Sequence, residues 1–146
     1  MQVPMGPPDS ILGLSADFRK CTAPEKVNLV VGAYRDESGD PWVLPSVRTA
    51  EAMMAANPSV NKEYLPIEGD SSFVAAALGF AYGPTSNPLA SGQIAAVQTL
   101  SGTGACRVGG EFFSRFLGKG TPVYLSDPTW GNHVAIMQNA GLEIRR

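Results

Sequence analysis

Residues 93–146 alternate strand-like and helix-like segments, and this alternation restricts the fold more than any other feature of the chain. Apolar runs at 93–100, 121–125 and 142–144 predict strands, and two segments of helical length lie between them. A β–α–β–α–β order requires crossover connections and a parallel sheet with helices packed on its faces. The sequence therefore predicts an α/β fold.

The earlier part of the chain carries shorter signals. Residues 1–29 resemble an extended arm with one short helix over 15–20, and Val27–Val31 predicts a short buried strand. Two further helices are predicted, one opening at Leu44-Pro45-Ser46 and running to about residue 56, the other capped by Asp70 or Ser71 and running to about residue 82. Because an arm of this kind has no core of its own to enter, it is either a flexible tail or a segment that docks on a partner subunit.

Composition argues against several classes of protein. Eleven Lys and Arg stand against thirteen Asp and Glu, which does not suit a nucleic-acid binder with a basic surface. No apolar run reaches the roughly 18 residues that a membrane span requires. Two cysteines and one histidine give no metal-ligand spacing. We expect both thiols to be reduced, and Cys106 to be a small apolar helix residue rather than a nucleophile.

The run Ser101-Gly102-Thr103-Gly104 is the main candidate for a binding site. It lies between a predicted strand and a predicted helix, where backbone N–H groups and the helix dipole favour a phosphate. We predict that Ser101 caps this helix and that the amides of Gly102 and Thr103 face one open pocket. The spacing matches neither a dinucleotide fingerprint nor a Walker A loop, so the pattern by itself leaves open a plain turn.

A second candidate segment, Asp127 to His133, follows the next strand and therefore lies at the same edge of the sheet. Trp130 could stack on a planar ligand there, although on residue type alone a core position is favoured. His133 could act as a general base or have a structural role only. Tyr64, in a polar loop, is uninformative by itself.

Five stretches, taken in chain order, resemble the aspartate aminotransferase family, which belongs to the pyridoxal-phosphate-dependent class I aminotransferases of fold-type I. They are 27–36, 41–47, 62–67, 97–105 and 127–133. The resemblance implies that the chain is an N-terminal fragment of that fold. Residues 1–45 would form the N-terminal arm and part of the small domain. Residues 46–146 would form an incomplete cofactor-binding large domain, with a mixed or parallel sheet and flanking helices.

The resemblance also implies a cofactor site for pyridoxal 5'-phosphate. Ser101, Gly102 and Thr103 match residues that hold the cofactor phosphate. Trp130 matches the indole that stacks on the pyridine ring and touches the substrate carboxylate. His133 matches a residue behind the ring, where it helps to orient the aspartate that pairs with the pyridine nitrogen.

Substrate and partner contacts follow from the same resemblance. Gly32 matches a backbone contact to the substrate carboxylate, although Val30 stands where the family usually has glycine. Tyr64 matches a tyrosine that reaches the cofactor phosphate of the other subunit. The resemblance thus implies a homodimer in which the N-terminal arm wraps the partner subunit.

The family moves an amino group between aspartate and 2-oxoglutarate, giving oxaloacetate and glutamate. Its Schiff-base lysine and its substrate-carboxylate arginines would lie beyond residue 146, so the resemblance places no catalytic residue in this sequence. One alternative is a catalytically silent product that binds only the cofactor or a partner chain. An unrelated nucleotide-binding α/β module is the weaker alternative. The resemblance implies a mitochondrial matrix or cytoplasmic protein, the mitochondrial form being slightly favoured.

Two structural expectations remain. The resemblance, together with the tight strand-to-helix turn, predicts a cis peptide bond between Asp127 and Pro128. A sheet and an arm without their partners predict a large exposed apolar surface.

Overall fold

The computed structural model describes residues 2–6 and 10–146. The chain divides into two compact units, Met1–Lys62 and Glu63–Arg146. The boundary predicted between residues 45 and 46 stays a prediction. No helix in the described part of the chain is long and apolar enough to cross a membrane.

In chain order, the elements are α1 (Ser10–Lys20), α2 (Pro45–Ala56), α3 (Ser71–Tyr82), α4 (Asn87–Ala90), α5 (Ser101–Leu117), β1 (Pro122–Tyr124), α6 (Gly131–Asn139) and β2 (Glu143–Arg145).

The first unit contains α1 and α2. Helix α1 begins at Ser10, five residues before the helix predicted for the arm, while residues 7–9 of that arm lie outside the described chain. Helix α2 confirms its prediction. It follows Leu44 and carries proline in its first turn, where the missing N–H costs no hydrogen bond.

The strand predicted at Val27–Val31 is wrong. Its backbone hydrogen bonds are local: the Val30 N–H donates to Asn28 Oδ1 at 3.1 Å, and the Ala33 N–H donates to the Val31 carbonyl at 2.9 Å. Such local bonds satisfy the backbone in a turn and so compete with a strand ladder.

In the second unit, α3 is capped by Asp70, one of the two predicted caps. The Asp70 carboxylate accepts the Phe73 N–H at 2.8 Å and also the Ser72 hydroxyl. Both hydrogen bonds stabilise the charged carboxylate and so lower the pKa of Asp70. The bond from the Ser72 side chain has the larger effect, and the bond from the Phe73 N–H comes next. Helix α3 ends at Tyr82, and the capping residue Gly83 has a φ of 85°, which favours a residue without a side chain.

Strands β1 and β2 pair in parallel, with Val123 opposite Ile144. Helix α6 connects them, which confirms the predicted β–α–β order for this part of the chain.

The strand predicted at 93–100 is wrong. In the described chain its backbone pairs with no other strand. Two of its N–H groups donate to earlier residues, Gln93 to the Pro88 carbonyl at 3.0 Å and Gln98 to the Glu68 carbonyl at 2.9 Å.

The core of the second unit is small and lies between α5, α6 and β2. Ile136, Ala140 and Leu142 are its buried apolar residues, and Gly110 of α5 packs against the last two. Many large apolar side chains are exposed in the described chain, for example Phe80 at 94%. The predicted large apolar surface is therefore confirmed.

Candidate functional site

The predicted phosphate turn forms the first turn of α5. The helix begins at Ser101, and Leu100 is its N-terminal cap, without a side-chain hydrogen bond. The prediction that Ser101 caps the helix is therefore wrong. Ser101 has a φ of 59°, in the left-handed region, and the Leu100 carbonyl already accepts the Gly104 N–H at 3.1 Å.

Three consecutive amides precede that first helical bond. In the part of the chain that the structure describes, the N–H groups of Ser101, Gly102 and Thr103 donate to no backbone carbonyl. All three residues are exposed, and the space around a Cβ added at Gly102 is open to 4 Å. Free N–H groups at the positive end of a 17-residue helix, beside two hydroxyls, can bind a phosphate. That these amides face one common pocket stays a prediction.

The second candidate segment follows β1 and turns into α6. The peptide bond between Asp127 and Pro128 is cis, as predicted. Trp130 directly precedes α6 and is 44% exposed, so it is not a buried core residue. An indole with a partly open face at the end of a parallel strand can stack on a planar ring.

His133 lies one helical turn after Trp130, and its ring meets the indole edge-on at 5.4 Å between centroids. The Thr129 hydroxyl lies 2.8 Å from His133 Nδ1 and forms a hydrogen bond with it. This bond fixes the orientation of a half-buried imidazole and leaves Nε2 as the ring nitrogen that can meet a ligand.

Tyr64 belongs to the same unit as these residues, and its side chain is 95% exposed. Gly32 belongs to the first unit, where it lines a cleft of about 840 Å³. In that cleft, Arg35 Nη1 donates to the Gly39 carbonyl at 3.1 Å, while its Nε is buried without a hydrogen-bond partner. The structure thus places the predicted cofactor residues, with Trp130 among them as a predicted carboxylate contact, in one unit, and the predicted backbone contact of Gly32 in the other.

Two residues that the sequence did not indicate, Gln98 and Gly69, form a close contact next to the segment that leads into the phosphate turn. Gln98, three residues before Ser101, bonds to both sides of Gly69. The one sequence signal that could have indicated Gln98 is that it is a polar residue within the apolar run at 93–100.

No group of three or more His, Cys, Asp or Glu among the described residues could hold a metal ion.

Residues 24–146 match the family model Aminotransferase class I and II, so the chain belongs to that family. It is 49% identical over 143 residues to the mitochondrial aspartate aminotransferase of Xenopus tropicalis, covering 98% of this chain and 33% of that protein. It is 46% identical over 145 residues to the cytoplasmic aspartate aminotransferase of Gallus gallus, covering 97% and 35%. The aspartate aminotransferase from Saccharomyces cerevisiae cytoplasm has a similar structure, with a TM-score of 0.86, 42% identity and coverage of 98% and 34%.

The family match confirms the predicted resemblance and the fold-type I class, and it argues against an unrelated nucleotide-binding module. The chain spans about a third of the length of the relatives it matches. The family generally depends on pyridoxal phosphate. Mitochondrial and cytoplasmic relatives both match, the mitochondrial one slightly better, which leaves either compartment open.

Proposed function

We propose that this chain forms the cofactor-phosphate and ring-stacking part of an aspartate aminotransferase, which transfers an amino group between aspartate and 2-oxoglutarate. The observation that carries this proposal is the set of three unbonded N–H groups at Ser101, Gly102 and Thr103. The reaction is inferred from the matched relatives, which are named as aspartate aminotransferases. Pyridoxal phosphate, when bound, supplies the electron-accepting ring for this chemistry.

The residues present fit that cofactor. A phosphate needs several hydrogen-bond donors, and the start of α5 offers three amides and two exposed hydroxyls. A pyridine ring needs an aromatic face, and Trp130 presents a half-exposed indole. His133, oriented by Thr129, offers Nε2 as a donor or acceptor for a polar group behind the ring.

The remaining assignments extend the proposal to substrate and partner. The backbone of Gly32 contacts the substrate carboxylate. Tyr64 reaches the cofactor phosphate of a second subunit in a homodimer. Two observations support these roles: a Cβ added at Gly32 would have open space to 4 Å, and Tyr64 is almost fully exposed within its own unit.

The proposed site is tested by fluorescence of Trp130 in a Trp42→Phe background, which leaves a single indole. Pyridoxine 5'-phosphate is the probe, because it lacks the aldehyde that would react with surface lysines. We expect it to quench the emission and to bind at least about tenfold more tightly than pyridoxine, since charge-assisted hydrogen bonds to a phosphate contribute strongly. Isothermal titration measures the same preference independently.

Ser101→Ala should reduce this preference, because it removes one hydroxyl donor from the turn. Ser91→Ala is the matched control: it removes an exposed hydroxyl of the same unit that bonds only to its own turn. Equal affinity for the two probes in the unmodified chain would contradict the proposed phosphate site.

A further inference from the structure

Gln98 holds two backbone groups that lie on either side of Gly69. Its N–H donates to the Glu68 carbonyl at 2.9 Å, and its side-chain Oε1 accepts the Asp70 N–H at 2.9 Å. The Asp70 carboxylate in turn caps α3. One glutamine therefore connects its own segment to the loop that leads into α3.

Gly69 permits this connection because it has no side chain. It is buried, with a φ of 92°, and a Cβ at this position would lie 2.2 Å from Gln98 Cβ. Real Cβ atoms do not approach so closely, so any other residue would push Gln98 away. The close contact between residue 69 and Gln98 therefore requires glycine at position 69.

In the described residues 94–99, Gln98 makes the hydrogen bonds that reach another segment of the chain. Thr99 bonds only to the nearby Ser101 carbonyl, and the remaining residues make no hydrogen bond to another segment. Ser101 follows Gln98 by three residues, and Tyr64 precedes Glu68 by four. Gln98 is therefore a hydrogen-bonded link between the chain that leads into the phosphate turn and the loop that follows Tyr64.

We propose that Gln98, seated against Gly69, is a positioning residue that fixes the 101–103 amides in the arrangement that binds a phosphate. The proposal rests on the proposed cofactor-phosphate site. It gives Gln98 no contact with the cofactor. The amide oxygen acts by keeping the Asp70 N–H bonded, which holds the chain just before α5 in place.

The test replaces the acceptor with an apolar side chain of similar length. Gln98→Met leaves the Asp70 N–H without a partner, and we expect the preference for pyridoxine 5'-phosphate over pyridoxine to fall about tenfold. Gln93→Met is the matched control in the same segment, because the Gln93 side chain is exposed and only its backbone N–H is bonded. Gly69→Ala, which displaces Gln98 by a different route, should have the same effect.

The ratio of the two affinities separates positioning from general loss of structure, because unfolding would weaken both probes equally. A Gln98→Met chain with an unchanged ratio would overturn the proposal, as would one that loses both affinities in parallel. If the unmodified chain shows no preference at all, the proposed phosphate site itself fails, and the Gln98 proposal fails with it.

Discussion

The 146-residue chain by itself is expected to show no transamination of aspartate and 2-oxoglutarate. Amino-group transfer needs a positioned amine to move a proton, and a positioned acid–base group contributes about 10²–10⁴-fold to such a step. The resemblance matches none of the four lysines, Lys20, Lys26, Lys62 and Lys119, to the Schiff-base lysine. The chain would therefore hold the phosphate and cover the ring without reacting.

The structure supports this expectation for the unit that carries the proposed cofactor site. Its one lysine, Lys119, follows the C-terminal end of α5, and the phosphate turn forms the opposite end. A helix of 17 residues is about 26 Å long, so Lys119 lies far beyond the reach of the turn.

The assay couples oxaloacetate formation to a dehydrogenase. As a positive control, these residues replace the matching third of the Xenopus tropicalis relative, and this chimera should turn over. Turnover by the chain alone that is lost in a Trp130→Ala, Ser101→Ala variant would contradict the expectation. A silent chimera would count against the proposed aminotransferase role, and would favour a product that only binds cofactor or partner.

Gly110→Val is expected to lower the free energy of unfolding by about 2 kcal/mol, a large part of the stability of a small unit. A Cβ at this position would lie 3.1 Å from Ala140 Cβ and 3.3 Å from Met137 Sδ. The extra methyl groups would force α5 away from α6, where the few buried residues of the unit lie. Urea denaturation followed by circular dichroism measures the change.

Gly109→Val is the matched control for this prediction. It makes the same change one residue earlier in α5, where a Cβ would have open space to 4 Å. We expect little loss of stability there, because valine lacks close neighbours at that position. Equal losses at the two positions would show that helix propensity, rather than packing against α6, decides the stability.

The helices were largely predictable from local signals. Pro45 at the start of α2, Asp70 before α3 and Gly118 after α5 mark helix ends through their own chemistry. The β–α–β order of β1, α6 and β2 followed from apolar runs separated by a helix-length segment. These features depend on neighbouring residues in the chain, which a single sequence displays directly.

The predictions that were wrong concern features that depend on distant residues or on backbone geometry. The apolar pattern at 93–100 suits a strand, but a strand also needs a partner strand, and in the described chain this segment instead bonds through the Gln93 N–H to Pro88 and through Gln98 to the residues on either side of Gly69. The left-handed φ of Ser101 is uncommon for serine, so residue type could not indicate it. The roles proposed for Tyr64 and His133 came from the family resemblance, because their residue types had left several uses open.

In the proposed function, the amides of Ser101, Gly102 and Thr103 bind the cofactor phosphate. The most direct measurement is the ¹H–¹⁵N spectrum of the labelled chain during titration with pyridoxine 5'-phosphate. We expect these three amide signals to shift together, and pyridoxine without the phosphate to leave them in place. Shifts confined to other residues, or identical shifts with both compounds, would contradict it.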